Sequence, residues 1–205
     1  MDLLSKIISI SSRIAFALHE QMELFRCYVP NFSMIDSFLR AWKVWGTYYD
    51  FSMCSVTVCI NLRSQESWFE PNEVENKRVS ICSSMALYLS DQKELLAPSL
   101  KKAQLRETEA NALLAMVLCE TDLREDVSER LLSSLDSIRK QTLNELQRFY
   151  REGMGLSDFS ARLGNLMTVC HAVRECSVHF HAVFRMQVAL FDIWLTETLM
   201  KEIIL

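Results

Sequence analysis

Residues that interrupt helices are scarce in this chain: its 205 residues include four glycines and three prolines. Their scarcity argues against a loop-rich or low-complexity protein and favours long helices joined by short connections. Half of the residues are hydrophobic, and a chain of this size can bury roughly 70% of its extended surface in one core. The sequence therefore predicts an all-α fold, with residues 1–205 forming one domain.

The spacing of the cysteines excludes several further classes of protein. The seven cysteines never occur as Cys-x-x-Cys and are odd in number, so we predict neither a zinc module nor a disulfide framework. Reduced thiols in a cytosolic or nuclear compartment are the expectation that follows. The chain has no run of about 18 or more apolar residues, and its start lacks the basic region of a signal peptide. We expect no membrane partner.

Acidic residues outnumber basic residues in this chain. The chain has 22 lysines and arginines against 26 aspartates and glutamates, which gives a net charge of −4 at pH 7. This balance offers no broad basic surface for a phosphate backbone, so we expect no direct binding of nucleic acid. The sequence also lacks a glycine-rich phosphate loop, a nucleophile elbow and a carboxylate paired with a base at catalytic spacing. These absences argue against an enzyme.

One polar cluster has the spacing of metal ligands. His171, Glu175 and His179 recur every four residues and would face one way on a helix. The same residue types are typical of a polar dimer surface, and such clusters without a fourth ligand in the sequence are usually surface. We therefore predict no metal site and no cofactor.

Hydrophobic periodicity places the secondary structure. Apolar residues at threes and fours predict a first helix over 3–29, ended by Pro30, and a second helix over 34–53. Residues 56–62 alternate strictly and predict a strand, with Trp68–Phe69 as its candidate partner. Further helices are predicted at roughly 73–100, 106–120, 126–151 and 157–190.

The end of the chain, residues 199–205, forms an amphipathic segment. In a helix its apolar side chains share one face and Glu202 lies at the edge of that face. Isolated helices below about 12 residues are marginal in water, so this segment must dock. It docks either as a helix that completes the core, or as a displaceable helix whose Glu202 accepts hydrogen bonds from the first amides of a partner helix.

Three motifs, in this order, resemble the ligand-binding domains of nuclear hormone receptors. Thr108–Leu118, followed by Asp122, resembles the family's eighth helix. Arg162 and Arg174 are similar in spacing to the arginines of its long penultimate helix. Leu199–Ile204 matches the activation helix, whose pattern is two apolar residues, any residue, Glu and two apolar residues.

The resemblance extends over residues 14–205, and Phe38–Trp45 resembles the divergent nematode-type branch of the family. It implies a layered antiparallel helical sandwich with a small β-hairpin, in which the terminal helix closes an apolar ligand pocket. The family's first helix and its DNA-binding module are expected to be missing from this chain. By analogy the pocket residues would be Leu18, Met22, Trp45, Met85 and Phe184, each of which can also be an ordinary core residue.

The resemblance also implies a charge clamp that holds both ends of a Leu-x-x-Leu-Leu coregulator helix. Glu202 would contact the positive amino end of that helix. The family's lysine at the end of the third helix is Cys27 here, which leaves Arg26 or Arg40 as the cation for the carboxyl end, unless both are ordinary surface charges. The apolar contacts of the clamp would come from Leu199, Met200 and Ile203.

Glu109 and Arg162 match a salt bridge that joins the family's eighth and penultimate helices. A carboxylate near a helix start is favourable in any case, so a local role for Glu109 without Arg162 stays open.

Two functions of different class follow from these motifs. One is a nuclear, ligand-responsive transcription regulator that binds a small apolar ligand and exchanges coregulator helices as its terminal helix moves. The alternative is a ligand-independent interaction module that forms a homodimer or heterodimer through residues 162–190 and acts on other receptors. A continuous apolar cavity would favour the first function, and a solidly packed core the second.

Overall fold

The structure, a computed structural model, describes residues 18–45, 51–53, 59–61, 92–119 and 127–191. Over these residues the fold is predominantly helical, as the composition predicted. The α-helices are α1 (Leu18–Trp45), α2 (Ala97–Ala103), α3 (Glu107–Cys119), α4 (Glu129–Arg148) and α5 (Ser160–Phe191). A π-helical turn, Gln92–Leu96, precedes α2, another, Phe149–Gly153, follows α4, and two short strands are β1 (Phe51–Met53) and β2 (Cys59–Asn61).

Contacts within the chain group it into two compact units. Unit 1 comprises residues 1–29 and 103–170, and unit 2 comprises residues 30–102 and 171–205. Helices α1 and α5 each contribute a segment to both units. That residues 1–205 form one domain stays a prediction.

Helix α1 continues through Pro30, where the sequence predicted a break. The predicted helix end at Val29 and the new start at Met34 are wrong, because Leu18–Trp45 is one helix with the proline inside it. An interior proline removes one backbone hydrogen bond and costs about 3 kcal/mol. Burial opposes that cost, since each large apolar side chain removed from water contributes about 1.5–3 kcal/mol. Pro30 is buried, as are the following residues Met34, Ile35, Phe38 and Ala41.

In unit 1 a core forms between α3 and α4. Leu118 of α3 packs with Leu131 and Leu135 of α4, and Leu24, Tyr28 and Val127 cover this cluster. Burial, with a smaller contribution from Cys119, raises the pKa of the Tyr28 hydroxyl to about 12. The tyrosine therefore stays neutral at any physiological pH.

Unit 2 has buried side chains of its own. They come from the second half of α1, from α2 and the π-helical turn before it, and from the C-terminal part of α5. They include Ile35, Phe38, Leu96, Leu100, Val173 and Cys176. A chain that is half hydrophobic thus buries apolar surface in both units.

The two short strands pair antiparallel in a register that sets Ser52 opposite Ile60. β2 falls inside the predicted strand 56–62, but its partner β1 belongs to the predicted helix 34–53, which is wrong at this point. Cross-strand pairing decides the conformation of so short a segment more strongly than helical periodicity does. The predicted partner, Trp68–Phe69, lies outside the described residues.

The start of α4 is capped by a residue that is distant in sequence. The Ser128 hydroxyl is the N-cap and accepts a hydrogen bond from the Leu131 N–H at 3.2 Å. In a capping box, a Glu or Gln at the position of Leu131 would accept a bond from the N-cap N–H. Glu20 of α1 supplies that carboxylate instead: its Oε1 accepts from the Ser128 N–H at 2.9 Å, and Glu20 is 5% exposed. This split capping box ties α1 to α4 within unit 1.

Replacing Glu20 by Ala should lower the free energy of unfolding by about 1–3 kcal/mol, because the Ser128 N–H loses this acceptor. Ser128→Ala should cost about 1 kcal/mol through the loss of the N-cap hydroxyl. Glu20→Gln is the matched control, since it keeps a side-chain oxygen that can accept the bond and should be clearly milder. Urea denaturation measures all three variants, and equal losses for Glu20→Ala and Glu20→Gln would contradict the split capping box.

Candidate functional site

A buried carboxylate is the electrostatic centre of unit 1. Glu109, in the first turn of α3, is 0% exposed. Arg162 of α5 donates two hydrogen bonds of 2.6 Å to it, from Nε to Oε1 and from Nη2 to Oε2. The Tyr150 hydroxyl donates to Oε1 at 2.9 Å, and the Arg106 backbone N–H donates to Oε2 at 2.8 Å. The structure thus brings together Glu109 and Arg162, which the resemblance paired, and adds two further donors.

The local and the long-range role of Glu109 are present together. Arg106 immediately precedes α3, and the bond from its N–H to Glu109, three residues on, is the carboxylate half of a capping box. The same carboxylate makes the ion pair with Arg162. Both are possible at once because an ionised carboxylate offers about four acceptor sites on its two oxygens.

Arg162 is held by a backbone carbonyl as well as by Glu109. Its Nη2 donates to the Gln104 carbonyl at 3.3 Å. Gln104 lies between α2 and α3 with φ of +44°, a left-handed conformation that costs a non-glycine residue about 1–2 kcal/mol. The Arg162 side chain is 27% exposed, so the ion pair has its anion inside unit 1 and its cation at the surface. The contact to Gln104 links this connection to the Glu109–Arg162 pair.

The surroundings of Glu109 determine its charge. Burial, the largest single influence, raises the pKa of this carboxyl group. The hydrogen bonds from Arg162, the Arg106 N–H and Tyr150 together outweigh it, so the pKa lies below its ordinary value of 4.5. Burial and the bond to Glu109 raise the pKa of Tyr150, which therefore acts as a neutral donor. Glu109 is ionised at neutral pH.

A π-helical turn positions Tyr150. The turn Phe149–Gly153 follows α4 directly, and single π-helical turns are frequent at functional sites. Tyr150 is 0% exposed and stacks on Phe159 with 5.5 Å between ring centroids. The guanidinium of Arg151 lies 5.5 Å from the centroid of the same Phe159 ring. Aromatic packing therefore fixes the side chain that reaches Glu109.

A cavity lies beside this network, within unit 1. Its volume is about 570 Å³, inside the range of about 300–1,000 Å³ found for small-molecule sites. Helix α3 contributes Thr108, Asn111 and Ala112 to its wall, and α4 and the π-helical turn contribute the rest. None of the residues that the resemblance assigned to a ligand pocket lines it.

The predicted ligand-pocket residues are only partly described. Met22 of α1 is 39% exposed. Leu18, Trp45 and Phe184 occupy helical positions in α1 and α5, but their side chains lie outside the described part of the structure, as does all of Met85. That these five residues line one pocket stays a prediction.

The predicted coregulator-binding residues are also only partly described. Arg26 pairs with Glu23 at 3.1 Å, and each of the two side chains is 15% exposed. Arg40 pairs through Nε with Asp36 at 2.7 Å, with side-chain exposures of 39% and 32%. The remaining members of the clamp lie outside the described residues: Leu199, Met200, Glu202 and Ile203.

Among the described residues, no group of three or more His, Cys, Asp or Glu side chains is placed to hold a metal ion. In the same part of the chain, no helix combines the length and the apolar character needed to span a membrane.

Three partners in the Glu109 network were not predicted from the sequence. They are the Tyr150 hydroxyl, the Arg106 N–H and the Gln104 carbonyl. Tyr150 lies at the end of the predicted helix 126–151, on its apolar face. A buried tyrosine usually has a hydrogen-bond partner, so the sequence indicates that Tyr150 has one. Nothing in the sequence indicates which residue that partner is.

Comparison with known proteins identifies the family. The family model described as the ligand-binding domain of nuclear hormone receptors matches residues 10–185. Because this match spans most of the chain, the protein belongs to the nuclear hormone receptor ligand-binding domain family, whose members regulate transcription in response to ligands. The family-level resemblance that the motifs predicted is therefore confirmed.

The fold is similar to that of a solved ligand-binding domain. The ultraspiracle ligand-binding domain from Drosophila melanogaster matches with a TM-score of 0.64 and 14% sequence identity. The match covers 92% of this chain and 68% of that one. No curated protein matches the sequence significantly. At this identity the structural match supports the fold alone.

Glu109→Gln and Arg162→Met should each lower the free energy of unfolding by about 2–4 kcal/mol, since each leaves a partner without its counter-charge. The double variant should cost less than the sum of the two, because its second change removes a charge that is already unpaired. A double-mutant cycle from urea denaturation measures the coupling. Arg139→Met is the matched control: its pair with Asp136 is exposed (48% and 37%) and should be worth less than about 1 kcal/mol. Strict additivity would contradict the Glu109–Arg162 bond.

Acid should weaken unit 1 through the same carboxylate. The folded pKa of Glu109 lies below its ordinary value of 4.5, so its contribution is fully present above that value and is lost as pH falls through the folded pKa. Below pH 4.5 the unfolding free energy of the wild type should therefore fall more steeply than that of Glu109→Gln. Denaturation midpoints measured down to about pH 2.5 test this, and parallel pH profiles would contradict it.

Proposed function

We propose that this chain is a ligand-responsive transcription regulator domain of the divergent nematode-type branch, which acts in the nucleus and binds coregulator helices through its C-terminal segment. The family match over residues 10–185 carries the proposal. The Glu109–Arg162 pair supports it, because the structure contains the ion pair that the resemblance implied. The ligand in this proposal is a small apolar molecule held by the pocket residues that the resemblance named.

Arg40 is better suited than Arg26 to hold the carboxyl end of a coregulator helix. Arg26 and its partner Glu23 are each 15% exposed, so an incoming helix would reach that guanidinium poorly. Arg40 is 39% exposed and paired with Asp36, and such surface ion pairs contribute only about 0–1 kcal/mol. It can therefore exchange Asp36 for helix carbonyls at low cost. Val44, one turn farther along α1, is 59% exposed and offers apolar surface beside it.

The proposed clamp takes one charge from Arg40 of α1 and the other from Glu202 in the C-terminal segment, which lies outside the described residues. In this proposal Glu202 accepts from the first N–H groups of the coregulator helix, and Arg40 donates to its last carbonyls. The apolar side chains around Glu202 contact the leucines of the motif. Binding then depends on whether the terminal segment is docked or displaced.

Glu202→Ala should weaken binding of a Leu-x-x-Leu-Leu peptide by at least several-fold, because a carboxylate at a helix amino end contributes about 1–2 kcal/mol. Arg40→Ala should have a similar effect on binding. Fluorescence anisotropy of a labelled peptide measures both affinities. The melting temperature should remain almost unchanged in Arg40→Ala, because the pair with Asp36 is partly exposed and such surface pairs contribute only about 0–1 kcal/mol. It should also remain almost unchanged in Glu202→Ala, because in this proposal Glu202 contacts the partner helix and not the fold.

Two matched controls separate the clamp from general loss of charge. Lys201→Ala changes the neighbour of Glu202, and Arg139→Ala removes an arginine that also forms an exposed helical ion pair, on α4. Both should leave peptide affinity within about twofold of the wild type. Unchanged affinity in Glu202→Ala would refute the clamp.

Native mass spectrometry of the chain purified from its own cells tests the ligand part of the proposal. A bound small molecule of constant mass supports a ligand-responsive domain. Recovery of the bare chain alone would favour the interaction module without a ligand.

Exposed apolar residues on α5 favour dimerisation as the second candidate function. Val178 is 53% exposed and Met186 is 37% exposed. The exposed Ala182 lies between them at a spacing of four residues, so the three lie along one side of the helix. Two-fold dimers are the commonest closed assembly, and such a contact would cover this surface. In this alternative the chain acts by pairing with itself or with another receptor.

Val178→Asp should raise the dissociation constant of a homodimer by at least about tenfold, because it places a charge in an apolar contact next to its symmetry-related copy. Leu132→Asp is the matched control, since Leu132 is 48% exposed on α4 and lies outside the proposed contact. Sedimentation equilibrium at tens of micromolar measures both. A monomeric wild type under these conditions would rule out the homodimer.

A further inference from the structure

The 570 Å³ cavity of unit 1 is lined by charged side chains that have no part in the proposed function. It lies between α3, α4 and the π-helical turn, and its wall carries three charged side chains: Glu145, Arg148 and Glu152. All three are exposed. Carboxylates therefore outnumber guanidinium groups by two to one at this site.

These charged side chains make few interactions within the described part of the chain. Glu145 accepts one hydrogen bond, from Gln141 Nε2 at 3.1 Å. Within the described part of the chain, Arg148 and Glu152 form no ion pair, although they are four residues apart. A charge that the fold has not paired can interact with a ligand without first breaking an internal bond.

The floor of the cavity is apolar and shaped by the π-helical turn. Leu146 is 1% exposed and Ala112 is 8% exposed, and the Phe149 ring lies beside them in the lining. Gly153 leaves room for the Phe149 ring, because a Cβ at this position would lie 2.9 Å from Phe149 Cδ2. The cavity thus combines an aromatic and aliphatic floor with an anionic rim.

We propose that this cavity binds a small organic cation, namely a primary ammonium or guanidinium group carried on an apolar body. The cationic group interacts with Glu145 and Glu152, and the apolar body lies over Leu146 and Phe149. An aromatic ring adds a further attraction for a cation near its face. The net charge of −4 on the whole chain also favours the approach of cations. Arg148 opposes binding and restricts the site to ligands of low positive charge.

This site is separate from the proposed coregulator clamp and ligand pocket. Its lining contains none of the residues assigned to either. The proposal therefore stands or falls independently of the transcriptional function.

Binding of dansylcadaverine to the full chain tests the proposal. This fluorescent probe carries an apolar ring system on an alkylammonium arm, and its emission rises on transfer from water to an apolar site. The matched anion, dansyl-6-aminohexanoate, has the same ring system on an arm that ends in a carboxylate. We expect saturable binding of the cation and at least about fivefold weaker binding of the anion, since one unit charge at contact distance in water is worth about that factor.

Two variants of opposite sign assign the binding to this cavity. Glu152→Gln should weaken the cation by about fivefold, and Arg148→Gln should strengthen it by a similar factor, because each removes one charge of the rim. Glu129→Gln is the matched control: Glu129 is an exposed glutamate in the first turn of α4 and does not line the cavity. It should change the affinity by less than about twofold. All three positions are exposed, so thermal melting should confirm an unchanged fold.

Gly153→Ala adds a steric test, since the new methyl group must displace the Phe149 ring that forms the floor. It should weaken dansylcadaverine without changing the preference for cation over anion. Equal affinity for the two probes would overturn the proposal. Unchanged affinity of dansylcadaverine in both Glu152→Gln and Arg148→Gln would overturn it as well, because the probe would then bind elsewhere.

Discussion

The buried carboxylate of Glu109 is the constraint on which the rest of unit 1 depends. A charge with no exposed surface is tolerated only when donors replace its water, and breaking such an arrangement leaves a cost of several kcal/mol. Glu109 has four donors, from Arg162, Tyr150 and the Arg106 backbone. These donors belong to α5, the π-helical turn and the start of α3. One residue therefore fixes three parts of the chain relative to one another.

The π-helical turn follows from that constraint and has a second consequence. Tyr150 must be inside to reach Glu109, and it is 0% exposed. The wider turn places its neighbours Phe149 and Gly153 along the cavity wall rather than in the core. The same local departure from α-helical geometry thus completes the anchor and shapes the cavity beside it. A regular continuation of α4 would distribute these side chains differently, because its turns have about 3.6 residues.

Local patterns predicted α3, α4 and α5 well, but they placed a break inside α1 and missed the strand β1. The helices predicted at 106–120, 126–151 and 157–190 agree with α3, α4 and α5 to within a few residues. The helix break predicted at Pro30 is wrong. The sequence shows the local cost of a proline inside a helix, but it does not show the burial of neighbouring side chains that opposes this cost. Glu109 and Arg162 are 53 residues apart, and only resemblance to a family paired them. The bond from Tyr150 to Glu109 could not be predicted, because hydrophobic periodicity assigns a side chain to a helix face but does not identify the hydrogen-bond partner of its hydroxyl.

Three glutamates show how the fold decides which charges remain available for binding. Glu109 is saturated by four donors inside unit 1, and Glu20 is 5% exposed with one oxygen on the Ser128 N–H. Both carboxylates serve the fold, so changing either one acts on stability first. Glu152 is exposed and, among the described residues, has no ion-pair partner. Glu109 and Glu20 are buried and already hydrogen-bonded within the fold. A ligand from solution must therefore interact with exposed carboxylates such as Glu152. Residue type alone would not separate the three.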